Sequence, residues 1–127
     1  MVVTPIAWPA FVAAGAGGAV ARYLLDRAVA DRTAGAFPWG TFVINVTGSL
    51  LLGVITGLAL HHGLSRTSRI VLGTGFCGAY TTFSTFSFET VRLVEEGALA
   101  EAFRNAAGTF VAGAAAAALG LAATAGF

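Results

Sequence analysis

This chain has no lysine, no pair of cysteines and few charged residues of any kind. All seven basic residues are arginines, the single cysteine is Cys77, and charged residues make up only 10% of the 127 positions. A soluble domain carries about a quarter charged residues, so this composition disfavours one. A lone cysteine excludes an intrachain disulfide framework. A net charge of +1 without a basic patch argues against nucleic acid as a partner.

Apolar residues take the place of charge, at 57% of the chain. Because about 20 apolar residues cross a bilayer as a helix, the sequence predicts four spans, near 6–28, 41–60, 68–92 and 100–121. No basic region precedes the first span, which predicts a retained helix rather than a cleaved signal peptide. The prediction is an all-α integral membrane protein: one domain over 1–127, embedded in the lipid bilayer and multi-pass in the plasma membrane.

The first span carries an arginine among small residues. Gly15, Gly18, Ala19 and Arg22 share one helical face. Arg22 is either an interfacial arginine that snorkels beside Tyr23, or a cation at the mouth of an anion pathway. Composition alone leaves both interpretations open.

The second span carries an asparagine near its middle. Asn45 lies on a stripe with Thr41 and Ser49. An amide at that depth is costly to expose to lipid, so Asn45 must face protein, water or a ligand. It either makes an interhelical hydrogen bond or lines a polar path.

The third span contains an unusual stretch, 73–89, which reads GTGFCGAYTTFSTFSFE. Gly73, Gly75 and Gly78 weaken the helix, and we predict that it breaks between Gly73 and Thr81. Irregular backbone at membrane depth is tolerated where it is buried or lines an aqueous cavity. Carbonyl oxygens freed by such a break suit a hard cation.

An aromatic pair follows that predicted break. Phe83 and Phe86 are i, i+3 neighbours, with Thr82 on the same side and further hydroxyls at Ser84 and Thr85. An aromatic pair at helical spacing usually packs in a core. Beside glycines and hydroxyls, the pair also fits the wall of an ion path.

The fourth span is dominated by alanine and glycine. Asn105, Thr109 and Gly113 recur at i, i+4, i+8 and present a polar face. The competing interpretation is a small-residue packing seam through Gly108, Gly113 and Gly120.

Other function classes find less support. The chain has no Ser/His/Asp order, paired intramembrane carboxylates or phosphate loop, so we predict that it is not an enzyme. A proton-coupled exporter of cationic drugs needs a carboxylate deep in a span, but Asp26, Glu89 and Glu101 lie near predicted span ends. A purely structural subunit needs neither Asn45 nor the phenylalanine pair. The arginines are only weakly biased toward one side, which is compatible with insertion in either orientation. Four spans also make a thin bundle to enclose a conduction path, and together these two observations favour a homodimer.

Three strings resemble a known family. GFCGAYTTFSTFS at 75–87 resembles the signature of the CrcB/Fluc fluoride channels, and GTFVINVTGS at 40–49 resembles that family's other motif. Gly18, Ala19 and Arg22-Tyr23 are similar to its first-span pattern. The resemblance covers the whole chain. It implies a fluoride-selective channel that lets fluoride leave the cell passively and so lowers cytoplasmic fluoride. It also implies a dual-topology homodimer, with antiparallel subunits, two pores and a third helix broken in the middle.

The resemblance also implies roles for individual residues. Arg22 is expected to line the vestibule, and Gly78 and Thr81 to offer backbone carbonyls from both subunits to a central structural sodium ion that is not transported. Ala79 stands where the family usually has glycine, and Gly113 lacks a hydroxyl that some relatives have. The expected fluoride pore residues are Asn45, Thr82, Phe83, Ser84, Thr85, Phe86, Asn105 and Thr109.

Overall fold

The computed structural model describes residues 4–126. Over that range the chain is helical, without a strand, and forms four helices. After a 3₁₀ turn at Pro5–Ala7, the first two helices are continuous: α1 (Trp8–Ala30) and α2 (Trp39–His61). The third helix joins α3 (Arg66–Arg69), a π-helical segment (Ile70–Cys77), α4 (Gly78–Tyr80) and α5 (Phe83–Glu95). The fourth joins α6 (Leu99–Phe103), a π-helical segment (Arg104–Gly108) and α7 (Thr109–Ala125).

The predicted all-α, four-helix fold is confirmed. Two helices, Trp39–His61 and Leu99–Ala125, are long and apolar enough to cross a membrane by length and composition. α1 has 23 residues, so its length is sufficient, but glycine and Arg22 dilute its apolar character. The third helix is divided into short segments. Membrane crossing by α1 and by the third helix stays a prediction. The single domain over 1–127 also stays a prediction, and its ends at 1–3 and 127 lie outside the described residues.

Glycines bring the helices into backbone contact. Gly18 of α1 is buried, and a Cβ there would overlap the carbonyl oxygen of Phe76 in the third helix. A Cβ at Gly53 of α2 would likewise overlap the carbonyl of Ala117 in α7, and one at Gly120 that of Leu50. Small residues allow this approach where lipid offers no hydrophobic drive between helices. The predicted seam in the fourth helix is therefore present at Gly120.

The interruption of the third helix lies later than predicted. The chain stays helical through Tyr80, and only Thr81 and Thr82 are extended, with φ, ψ of −79°, 160° and −147°, 121°. The prediction of a break beginning at Gly73 was wrong. Gly73 and Gly75 lie inside the π-helical segment, and a Cβ at Gly75 would come within 3.2 Å of the Phe11 carbonyl oxygen. These glycines serve close packing rather than helix termination.

Side-chain capping restarts the helix after the interruption. The Thr82 hydroxyl oxygen accepts a hydrogen bond from the Thr85 N–H at 3.2 Å and caps α5. A threonine at this position satisfies one of the free N–H groups that every helix start leaves. The interruption is thus two residues long, with an ordered helix on each side.

Candidate functional site

Asn45 and the interrupted backbone form the centre of the site. The Asn45 amide nitrogen donates to the Thr82 carbonyl at 2.9 Å, and the Thr82 N–H donates to Asn45 Oδ1 at 2.9 Å. The side chain therefore replaces the acceptor that a continuous helix would give the Thr82 N–H. It also adds a donor to the Thr82 carbonyl, which as the N-cap carbonyl of α5 accepts the first backbone bond of that helix. Because an unpaired backbone group in the membrane interior is costly, this pair of bonds stabilises the interruption.

The same arrangement releases a carbonyl oxygen. In a continuing α-helix the Thr82 N–H would donate to the carbonyl of Gly78, four residues earlier. Here that N–H donates to Asn45 instead, so the Gly78 carbonyl has lost its helical donor. The Thr81 carbonyl loses its helical donor too, because the Thr85 N–H donates to the Thr82 hydroxyl; it accepts a hydrogen bond from Arg22 Nη1 at 3.3 Å instead. Gly78 and Thr81, predicted as sodium ligands, are two of the residues at 78–81 whose carbonyls precede the interruption and lose their helical donors. The sodium site itself stays a prediction.

A groove of about 380 Å³ runs beside the interruption, between α2, the third helix and α7. Phe83 and Phe86 form one wall, with ring centroids 6.0 Å apart and ring planes at 43°. Phe83 is 80% exposed, so the groove is open along that side. The remaining lining mixes hydroxyl, amide and small residues with a few apolar ones: Asn45, Gly48, Ser49, Leu52, Gly73, Cys77, Gly78, Thr81, Thr82, Thr109 and Phe110.

A second cavity, of about 250 Å³, lies on the other side of Thr82. Arg22, Thr41 and Thr85 are among its lining residues. Thr41 is buried and its hydroxyl donates to Glu89 Oε1 at 2.5 Å, which joins α2 to α5. The predicted vestibule residue Arg22 and the predicted pore residue Thr85 therefore share this cavity rather than the groove.

Asn105 lies apart from both cavities. Its side chain is fully buried at 0% exposure, and its amide nitrogen donates to the Thr90 hydroxyl at 2.8 Å. The Thr109 hydroxyl donates to Asn105 Oδ1 at 3.3 Å, so Thr109 connects this buried pair to the groove. Asn105 occupies a seam between the third and fourth helices, and the structure does not bring it to the phenylalanine pair.

The predicted pore residues thus fall into separate groups. Asn45, Thr82, Phe83, Phe86 and Thr109 meet in the groove. Thr85 faces the second cavity and Asn105 is enclosed. The Ser84 hydroxyl is 3.3 Å from that of Thr82 on an exposed turn.

Two contacts at the site were not predicted from the sequence. The Thr47 hydroxyl and the Tyr80 hydroxyl are 2.8 Å apart and join α2 to the last turn before the interruption. Glu89 was placed at a span end, with no partner foreseen. The position of Thr41 on the Asn45 stripe was the available signal for its bond to Glu89, but spacing in one helix does not identify the partner on another.

The family comparisons agree with the resemblance seen in the sequence. The family model described as "CrcB-like protein, Camphor Resistance (CrcB)" matches residues 10–121. "Fluoride-specific ion channel FluC 1" of Frankia casuarinae is 49% identical over 120 residues, which cover 91% of this chain and 93% of that protein. The "Fluoride-specific ion channel FluC 1" of Streptomyces avermitilis is 50% identical over 106 residues, 84% of this chain and 86% of that protein.

A third relative, "Fluoride-specific ion channel FluC 2" of Mycobacterium tuberculosis, is 46% identical over 113 residues, 89% of this chain and 86% of that protein. The relatives are named as ion channels, which confirms the prediction of a protein without enzymatic activity. The matches span nearly the whole chain and include the interruption and the groove. The chain belongs to the CrcB family.

Proposed function

We propose that this protein is a fluoride-selective channel of the plasma membrane, through which fluoride leaves the cell passively so that cytoplasmic fluoride falls. The observation that carries the proposal is the groove, which two phenylalanine rings line together with an amide and hydroxyls at the interruption of the third helix. Relatives about half identical to this chain and named fluoride-specific ion channels support the same conclusion.

The groove offers what a small, strongly hydrated anion needs when it loses water. One Asn45 N–H is engaged by Thr82, which leaves the second N–H of that amide as a donor toward the groove. The Thr109 hydroxyl is held only by a 3.3 Å bond and can turn toward an ion. Ring edges of Phe83 and Phe86 carry positive potential, so an anion is attracted to them edge-on. Several modest sites in a row admit an ion and also release it.

A second copy of the chain is the proposed outer wall of the groove. Phe83 and Phe110 both line the groove and are 80% and 76% exposed, so one chain alone leaves the path open to lipid. A Cβ at Gly78 would meet no atom within 4 Å, so this face has room for a neighbouring backbone. With arginines weakly biased between the two sides, an antiparallel homodimer with one groove per subunit, and hence two pores, is the proposed assembly.

A sodium ion held between the two subunits completes the proposal. The donor set fits: the Gly78 carbonyl lacks its helical donor, and carbonyl oxygens suit a hard cation. The Thr81 carbonyl accepts one bond from Arg22 and keeps a second lone pair. The ion would add a fixed positive charge near the groove and bridge the two chains. It is proposed as structural and not as transported.

The test is fluoride efflux from liposomes that contain the purified protein, compared with chloride efflux. We expect rapid fluoride efflux, little chloride efflux, and a loss of at least about tenfold for Phe83→Ile and for Asn45→Asp, since binding groups on the path set the rate. Phe88→Ile is the matched control, because Phe88 is 68% exposed on the same helix but does not line the groove. Equal permeation of both anions, or of neither, would contradict the proposal.

A further inference from the structure

A third cavity continues the groove toward the start of the third helix. It has a volume of about 530 Å³ and shares Leu52 and Gly73 with the groove, so the two spaces meet at those residues. Its polar lining consists of two hydroxyls and two guanidinium groups: Thr56, Thr74, Arg66 and Arg69. An anion in the groove therefore has a polar, basic space directly beyond Leu52.

Among residues 4–126, neither of the two arginines forms an ion pair with an acidic side chain. The sequence contains no aspartate or glutamate between Asp31 and Glu89, so the helix pair that lines this cavity carries arginine without compensating charge. The ion pairs that the structure gives for residues 4–126 join Arg92 to Glu96 and Arg104 to Glu101. Within the described range, no carboxylate lies at ion-pair distance from Arg66 or Arg69. Because guanidinium stays protonated at any physiological pH, this cavity is permanently electropositive.

The lining chemistry separates the tasks of the two spaces, because the third cavity carries two guanidinium groups and the groove carries an amide, hydroxyls and aromatic rings. Water occupies roughly 30 Å³ per molecule in the liquid, so the cavity accommodates an ion together with much of its hydration shell. Arginine attracts an anion without requiring that it first lose its water. Removal of water then falls to the amide, hydroxyls and rings beyond Leu52.

We propose that the Arg66–Arg69 cavity is a capture site for small inorganic anions, which concentrates fluoride at the end of the groove before it passes Leu52. The inference rests on the proposed channel function. A cleft lined by one sign of charge raises the local concentration and the entry rate of an oppositely charged ion, and salt weakens that effect. Capture therefore matters most at low fluoride concentration and low ionic strength.

The experiment is initial fluoride efflux from vesicles of net-neutral phosphatidylcholine, measured against fluoride concentration at two ionic strengths set with potassium isethionate. For the double variant Arg66→Gln/Arg69→Gln we expect about threefold to tenfold slower efflux at low fluoride and low ionic strength. The difference should close at saturating fluoride, and at high ionic strength, where the screening length falls from about 30 Å to below about 10 Å.

Two controls accompany the double variant. Arg66→Lys/Arg69→Lys keeps the charge and should retain most of the rate. Arg32→Gln/Arg104→Gln removes the same charge from exposed positions outside the cavity and should leave the rate unchanged. Elution as a single species in detergent confirms assembly of each variant.

The outcomes are distinguishable. A double variant that matches wild type at every concentration and ionic strength overturns the capture site and leaves the channel function standing. A wild-type protein that conducts no fluoride overturns the proposed function itself. The same measurement is repeated in vesicles that also contain an anionic lipid. A defect that appears only there overturns the inference too, because the arginines then hold a lipid phosphate.

Discussion

Replacement of Asn45 by alanine is the sharpest test of how the interruption is held. The change removes two 2.9 Å hydrogen bonds and leaves the N–H of Thr82 without a partner, whereas the Thr82 carbonyl keeps the first backbone bond of α5. An unsatisfied buried N–H costs about 1–3 kcal/mol and the lost bond to the carbonyl about 0.5–1.5 kcal/mol, so we expect about 1.5–4.5 kcal/mol less stability. We expect the loss to be concentrated at the interruption, because both bonds end on one residue.

Hydrogen exchange measured by mass spectrometry reports on that residue directly. In Asn45→Ala, a peptide containing Thr82 should exchange at least about tenfold faster, since about 1.4 kcal/mol corresponds to a factor of ten. Denaturant titration in mixed micelles should show the matching loss in free energy of unfolding. The control is Ser49→Ala, which removes a hydroxyl from the same groove that bonds only to the Asn45 carbonyl in its own helix, at 2.7 Å.

Two combinations of results separate a structural role of the Asn45 amide from a role in ion binding alone. If Asn45→Ala exchanges and unfolds like wild type while fluoride efflux falls, the amide acts on the ion alone and does not hold the backbone. If exchange accelerates and Asn45→Asp, which keeps the acceptor for the Thr82 N–H, lies between alanine and wild type, the structural role is established.

Three further predictions concern packing, sodium and the buried seam. Gly18→Ala should lower the free energy of unfolding by about 1–3 kcal/mol, because its Cβ overlaps a backbone carbonyl, whereas Gly17→Ala, with no atom within 4 Å, should not destabilise; equal denaturant midpoints would contradict this. Arg22→Gln should free the Thr81 carbonyl and lower the sodium concentration that gives half-maximal stabilisation in a melting series, and an unshifted midpoint would count against the shared carbonyl. Asn105→Leu should cost about 1–3 kcal/mol with little change in efflux per folded protein; slow efflux at wild-type stability would instead put Asn105 on the ion path.

Composition and motif predicted the elements of this fold but not how their faces meet. Low charge and four apolar segments predicted the four helices, and the aromatic pair after Thr82 predicted a wall that the groove contains. The π-helical winding of Ile70–Cys77 and Arg104–Gly108 was not predicted, because glycine and alanine there are equally compatible with an α-helix. The position of the break was wrongly predicted for the same reason. A glycine that allows close helix packing cannot be distinguished in the sequence from a glycine that ends a helix.

The hydrogen-bond partners of the polar residues could not be predicted either, because residue spacing within one helix does not identify a partner on another helix. Asn45 had two open interpretations, interhelical bond or polar path, and the structure realises the first while also placing the residue on the groove. Asn105 and Thr109 are four residues apart and lie on the same helical face, yet only Thr109 lines the groove. A difference of one helical turn in depth separates these residues, and only the packing of α5 against the fourth helix determines it.

The two-residue interruption also brings two opposite helix poles together inside one covalent chain. The segment ending at Tyr80 presents carbonyl ends, which carry partial negative charge, and α5 beginning at Phe83 presents N–H groups, which carry partial positive charge. A carbonyl end attracts a cation and an N–H end attracts an anion, so the interruption places two preferences of opposite sign next to each other. Because Thr81 and Thr82 fix both ends at once, neither pole can be moved by mutation without moving the other.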